Sequence, residues 1–218
     1  MQDLRILSRW VVNWFTYNYR RIKARLRKKH SASFARATAC KGMMRDDELL
    51  ALYNLARGAS KDGVIVEIGS YRGASTIALA QGSMQGPNIP VFAIDPHDFT
   101  SMVGYKFTMT DSAYFMQNIL LADVAHLVRP ITLFSYEVYD GWRRPISLLW
   151  IDGDHSYEAV KQDFERFSVH LLPSAPIVFH DAFSPRFGVH LFLDELMATQ
   201  RYEQEICSKR MVILRPKS

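Results

Sequence analysis

Short runs of apolar, largely β-branched residues recur along the chain, and most of them stop at an acid, a glycine or a proline. Val64–Ile68, Pro90–Ile94 with Asp95 behind it, Ile131–Phe134, Ile146–Ile151 with Asp152 behind it, and Ile177–Phe179 followed by His180-Asp181 each read as a buried strand. Between them the apolar spacing changes to that of helices. Glu48–Ala56 has Asp46 and Asp47 available as caps and Gly58 as a stop. Ala74–Ala80, Ala113–Ala125 and Leu191–Met197 follow the same logic, and Tyr157–His170 carries Val160, Phe164, Phe167 and Leu171 on one face. Glu205-Ile206-Cys207 and Met211–Leu214 resemble a closing hairpin around Ser208-Lys209-Arg210. Residues 98–112 have no clean period and read as a mobile lid. Strands alternating with helices predict an α/β, doubly wound sheet, mostly parallel and covered on both faces, with an antiparallel hairpin at the C-terminus.

At 218 residues the chain has room for one domain with an appendage. The division expected is an arm and linker over 1–41 and a domain over 42–218. The two cysteines, Cys40 and Cys207, form no CxxC and no metal-finger spacing, which argues for a reducing compartment. No apolar run reaches the roughly 20 residues that span a bilayer.

Charge changes the picture at the N-terminus. Nine of the 27 Lys and Arg fall within residues 1–29, with Asp3 as the single acid there, so the body behind the arm is mildly acidic although the whole chain is +5. Leu4, Leu7, Val11 and Trp14 share one helical stripe, with Trp10 and Phe15 beside it, and a basic run from Arg20 to Lys29 follows. Tryptophan next to cationic residues suits an anionic membrane surface, reached by residues 1–30 from the cytoplasmic side of the inner membrane. A helix packed on the domain or on a second copy of the chain, and a cleaved targeting peptide, are the other readings of the arm. No nucleic-acid motif accompanies the charge.

The candidate chemistry gathers at the strand ends. Glu67, Asp95, Asp152 and Asp181 would line one edge of the sheet, where open α/β folds place their ligands. Gly69-Ser70-Tyr71-Arg72-Gly73 makes a tight turn from strand to helix and lets backbone approach a ligand. The spacing is Gly-x-x-x-Gly rather than GxGxxG, and an acid stands beside it. That combination suits a cationic, nucleoside-like cofactor such as S-adenosyl-L-methionine better than a pyrophosphate. Asp95, about 20 residues on, is placed to bond ribose hydroxyls. GxSxG and GxxxxGK[ST] motifs are absent, which removes the best evidence for a hydrolase or a P-loop enzyme.

Leu148-Leu149-Trp150-Ile151-Asp152-Gly153-Asp154-His155-Ser156-Tyr157-Glu158, followed by Ile177-Val178-Phe179-His180-Asp181, is the most specific stretch. On these residues the chain from about Gly42 to Leu214 resembles the class I S-adenosylmethionine-dependent methyltransferases, with their Rossmann-like sheet. Within them it resembles the group of cephalosporin-biosynthesis and macrolide-sugar O-methyltransferases. The resemblance implies that Glu67, Gly69, Ser70 and Gly73 contact the methionyl end, Asp95 the ribose, and Ser135 the neighbourhood of the adenine. It implies that Asp152 borders the cofactor, and that Asp152 and Asp181 hold a divalent metal, Mg2+ before others; His180 stands where members often carry another acid or amide, a departure that makes the set Asp152, His180 and Asp181 a site with one imidazole ligand. The acceptor it implies is a hydroxyl on a sugar, a glycan or a glycosylated small molecule.

The chemistry can be argued independently. A sulfonium methyl is already electrophilic, so catalysis requires aligning an acceptor oxygen and removing its proton. A divalent cation lowers the hydroxyl pKa. His155 is the first candidate for the base, and His180 the second, as base or ligand. Asp154 reads as a cap for the helix that starts near Tyr157. Two rival functions remain open: a catalytically silent, membrane-associated domain of the same fold, and a nicotinamide-dependent oxidoreductase.

Overall fold

The computed structural model describes residue 40 and residues 43–97, 101–102, 105–106 and 109–217. The basic arm and much of the expected lid lie outside these residues. The helices are α1 (Asp46–Arg57), α2 (Ala74–Met84), α3 (Met109–Leu121), α4 (Ser135–Val138), α5 (Tyr157–Ser168) and α6 (Val189–Ala198). The strands are β1 (Val64–Ile68), β2 (Val91–Ile94), β3 (Ser101–Met102), β4 (Tyr105–Lys106), β5 (Val128–Ile131), β6 (Ile146–Ile151), β7 (Ile177–Phe179), β8 (Tyr202–Ile206) and β9 (Val212–Pro216).

A 7-stranded sheet runs in the order β5-β2-β1-β6-β7-β9-β8. Its pairings from β5 through β7 are parallel, and β9 and β8 close it antiparallel. β1 sits between β2, which follows it, and β6, which enters much later. The strand order therefore reverses between β1 and β6, and the carboxyl ends of these strands are where open α/β sheets place their ligands.

Alternation along the central strands fills two cores. Val64, Val66 and Ile68 of β1, with Leu149 and Ile151 of β6, pack against Val160, Phe164 and Phe167 of α5 and Phe192, Leu193 and Leu196 of α6. On the opposite face α1 lies against α2, and Leu49, Leu52, Tyr53 and Ala56 of α1 are buried there with Ile77 of α2. Both sides of the central strands are thus covered, which explains why those strands read as near-continuous hydrophobic runs.

Several boundaries differ from expectation. The third parallel strand is Val128–Ile131, not Ile131–Phe134. It carries Arg129 and Pro130, and both are tolerated because β5 is the outer strand of the sheet, where a missing N–H breaks no second ladder. Phe134 instead stacks on Tyr136 at a centroid distance of 5.1 Å. α3 begins at Met109 and ends at Leu121, and Asp123 beyond it has a left-handed backbone (φ 58°) that stops the helix. Within the expected lid, Ser101–Met102 pairs antiparallel with Tyr105–Lys106. At α1 the cap is supplied by Glu48, whose carboxylate accepts the Arg45 N–H at 2.9 Å, rather than by Asp46 or Asp47.

Candidate functional site

The turn after β1 is built on close approach. Gly69 has φ 84°, and a Cβ there would lie 2.1 Å from the carbonyl oxygen of Asp152. The β1 and β6 ends can meet this tightly only with glycine at that position. Gly73, at φ 87°, opens α2. Asp95, at the end of β2, clamps the turn: Oδ2 accepts the N–H groups of Ser70 (2.9 Å) and Tyr71 (2.8 Å), and Oδ1 that of His97 (2.8 Å). His97 is buried and lies 3.4 Å from the Ser70 hydroxyl, and its ring packs on Phe115 of α3. Beyond the turn, Arg72 pairs with Asp111 of α3 at 2.7 Å and sits over the rings of Tyr71 and Tyr114. His97 and the Arg72–Asp111 pair were not among the candidates read from sequence. His97 lies two residues past the strand-end acid, and Asp111 is 39 residues from its partner.

Glu67 differs from the other strand-end acids. It precedes the last residue of β1 and is fully buried, its Oε2 accepting the Thr76 hydroxyl of α2 at 2.5 Å. Burial lifts its pKa to about 8. Hydrogen bonds from Ser75 and Thr76 work against that rise, and the charges of Asp152 and Asp95 add to it. At neutral pH it is mainly a neutral acid beneath the glycine turn.

The end of β6 carries the densest chemistry. Asp152 Oδ1 lies 2.9 Å from His180 Nδ1 and 3.2 Å from His155 Nε2. Asp181 Oδ2 lies 3.6 Å from each of the same two nitrogens. Burial disfavours charge on Asp152, yet the two imidazoles hold its pKa down to about 2. Burial likewise opposes charge on His180, but Asp152, Glu48 and Asp181 push it up to about 10. His155 is raised in the same way, against burial, by its bond to Asp152 and by the charge of Asp181. Phe187 stacks on the His155 ring at 4.8 Å, and the His155 carbonyl accepts the Gly188 N–H at 2.8 Å. These contacts fix the ring over the cluster. Asp154 accepts the Ser156 N–H at 2.7 Å, while the Ser156 hydroxyl accepts from Ala159 and caps α5.

Ser135 starts α4 near Asp163 of α5, a buried carboxyl that accepts the Tyr139 hydroxyl at 2.8 Å.

Asp152, His155 and His180 each offer a ligand atom within 4.8 Å of the others. Two imidazoles and a carboxylate suit Mn2+, Fe2+ or Zn2+ better than Mg2+, which prefers oxygen ligands. The set closest together therefore includes His155, where Asp152, His180 and Asp181 were expected. A cavity of about 150 Å³ lies elsewhere, lined by Ser60, Ser147, Leu172 and Arg215 among others, and contains none of these residues.

A family described as a methyltransferase domain matches residues 66–182, which span the glycine turn and both histidines. Among solved structures, the O-methyltransferase NovP aligns with a TM-score of 0.65 and 14% identity, over 81% of this chain and 82% of its own. The O-methyltransferase TomG from Streptomyces achromogenes, involved in tomaymycin synthesis and solved with S-adenosylmethionine, aligns at 0.62 and 16%, over 86% and 90%. An O-methyltransferase from Bacillus cereus in complex with S-adenosylhomocysteine aligns at 0.59 and 20%, over 84% and 87%.

The state of Glu67 has a measurable consequence. Its folded pKa lies above its unfolded one, so its contribution to stability is complete below about pH 4.5 and is lost as the pH rises through about 8. Thermal melts of wild type and Glu67→Gln between pH 5 and 8.5 should diverge, the variant gaining on wild type by about 5 °C at the alkaline end. Parallel curves would mean that Glu67 is ionised throughout.

Proposed function

The chain belongs to this methyltransferase-domain family, and on that premise we propose that it is an S-adenosyl-L-methionine-dependent O-methyltransferase, assisted by a divalent cation, acting on a hydroxyl of a sugar or a glycosylated small molecule. The observation that carries this reading is the meeting of the Asp152, His155 and His180 side chains beside the Gly69–Gly73 turn, at the point where the strand order reverses. The neighbours solved with S-adenosylmethionine and S-adenosylhomocysteine support the cofactor. The sugar acceptor rests on the resemblance of the Asp152–Glu158 stretch to sugar O-methyltransferases.

When bound, the sulfonium supplies an electrophilic methyl and the cation acidifies and orients the acceptor hydroxyl. The chain's own residues supply the rest. Backbone around Gly69 and Gly73 lies against the methionyl end, and Asp95 keeps that backbone in place while its remaining lone pairs face the ribose. Glu67 supports the turn from below through Thr76. Ser135 borders the adenine. His155, held by Phe187, takes the hydroxyl proton on its imidazole and leaves Asp152, His180 and Asp181 to hold the cation. Where His155 is itself a ligand, the proton leaves through solvent.

Residues 1–30 are proposed to meet an anionic membrane surface, with their tryptophan stripe at the headgroup level. Among the described residues no helix is long and apolar enough to cross a membrane.

Calorimetry should give S-adenosylhomocysteine binding in the micromolar range and none for NAD, with Asp95→Ala weakening the former about tenfold or more as the turn loosens. NAD binding in its place would overturn the reading. With a sugar acceptor in hand, Asp152→Ala and His155→Ala should each lower kcat at least about 100-fold. A wild type indifferent to chelator would remove the cation and leave the methyltransferase. On anionic liposomes the full chain should float and a chain beginning near Ala32 should not; equal behaviour would remove the membrane contact.

A further inference from the structure

Behind His180, on the side away from Asp152, stands a carboxylate that the reading of the site has not used. Glu48 is contributed by the first turn of α1, and its side chain is wholly buried. An ionised carboxyl in such a place needs donors around it. Oε2 accepts the Arg45 N–H at 2.9 Å and Arg210 Nη2 at 2.8 Å, while Oε1 accepts the Ser208 hydroxyl at 3.0 Å and Arg210 Nε at 3.2 Å. Those donors join α1 to the turn between β8 and β9. They account for the charge of Glu48, but not for what lies on its remaining side. There, His180 Nε2 stands 3.5 Å from Oε2 and has no aligned hydrogen-bond partner among the described residues.

The ring of His180 is enclosed. It is buried, the indole of Trp150 meets it edge-on at 5.6 Å, and Nδ1 is occupied by Asp152 at 2.9 Å. One imidazole therefore joins a carboxylate at the rim to a carboxylate in the interior. A carboxylate on the far nitrogen of a histidine selects which nitrogen carries the proton and aims the other at the reacting centre.

We propose that Glu48 is a positioning residue for His180, holding Nε2–H turned inward so that Nδ1 stays against Asp152 and is the nitrogen left for a cation once it gives up its own proton. The part concerning a cation rests on the function proposed above, whereas the ring orientation does not. The Ser208 and Arg210 contacts make the β8–β9 turn part of the same support, from a part of the chain 160 residues away from Glu48 in sequence.

The test is long-range 15N NMR of the imidazole rings in the full, ligand-free chain, with the His180 signal identified by its loss in His180→Gln. Wild type should show both ring nitrogens of His180 carrying protons protected from exchange with solvent, Nδ1–H toward Asp152 and Nε2–H toward Glu48. Glu48→Gln should lose that protection at Nε2 and bind Mn2+ at least tenfold more weakly by calorimetry, with S-adenosylhomocysteine affinity within twofold of wild type. A proton-free Nε2 in wild type overturns the proposal, as does a Glu48→Gln chain whose Nε2 protection and Mn2+ affinity are unchanged. If Glu48→Gln does not fold, Glu48→Asp keeps a charge for Arg210 but withdraws it from the ring, and the same losses are expected of it. If wild type binds no Mn2+, the cation-assisted reading fails, and the NMR result still decides the role of Glu48.

Discussion

The contact between the ends of β1 and β6 is the constraint on which the site depends. Gly69 presses against the carbonyl of Asp152 because no side chain intervenes, and the Asp152 N–H in turn donates to the Ile68 carbonyl at 2.8 Å. The glycine turn and the histidine cluster are therefore fixed to one another through backbone, at the point where the sheet reverses its order. A methyl donor on the first and an acceptor on the second would share a wall.

Burial then assigns each acid a different state. Three strand-end carboxylates reach the rim: Asp95 is spent on the turn's N–H groups, Asp152 is held ionised between two imidazoles, and Asp181 faces the same rings from the edge. Glu67 is taken below the turn and kept mainly protonated. The same residue type thus serves as a clamp, a hub, a rim charge and a buried neutral acid, according to how many donors and how much solvent each position offers.

Much of this was legible in the chain. The apolar runs of β1, β2, β6 and β7 announce themselves because both their faces are covered, and the Asp152–Glu158 stretch identifies its neighbourhood. Strand β5 was misplaced because an outer strand can carry Arg129 and Pro130 and need not be apolar. Glu48 read as one of three acids at the start of α1, a position where acids are ordinary. Its role appears only once folding brings Arg210 and His180 to it, since no local pattern encodes a partner so distant. His97 carries no local signal either, since its contacts with Ser70 and Phe115 form only in the fold.

The central claim is that one edge of the sheet holds both the methyl donor and the cluster that prepares its acceptor. A crystal structure of the full chain grown with S-adenosylhomocysteine and Mn2+ addresses it most directly. The account predicts the homocysteine end of the ligand against Gly69–Gly73 and an anomalous manganese peak on Asp152 and His180. Ligand density at another edge of the sheet, or manganese bound away from both residues, would contradict it.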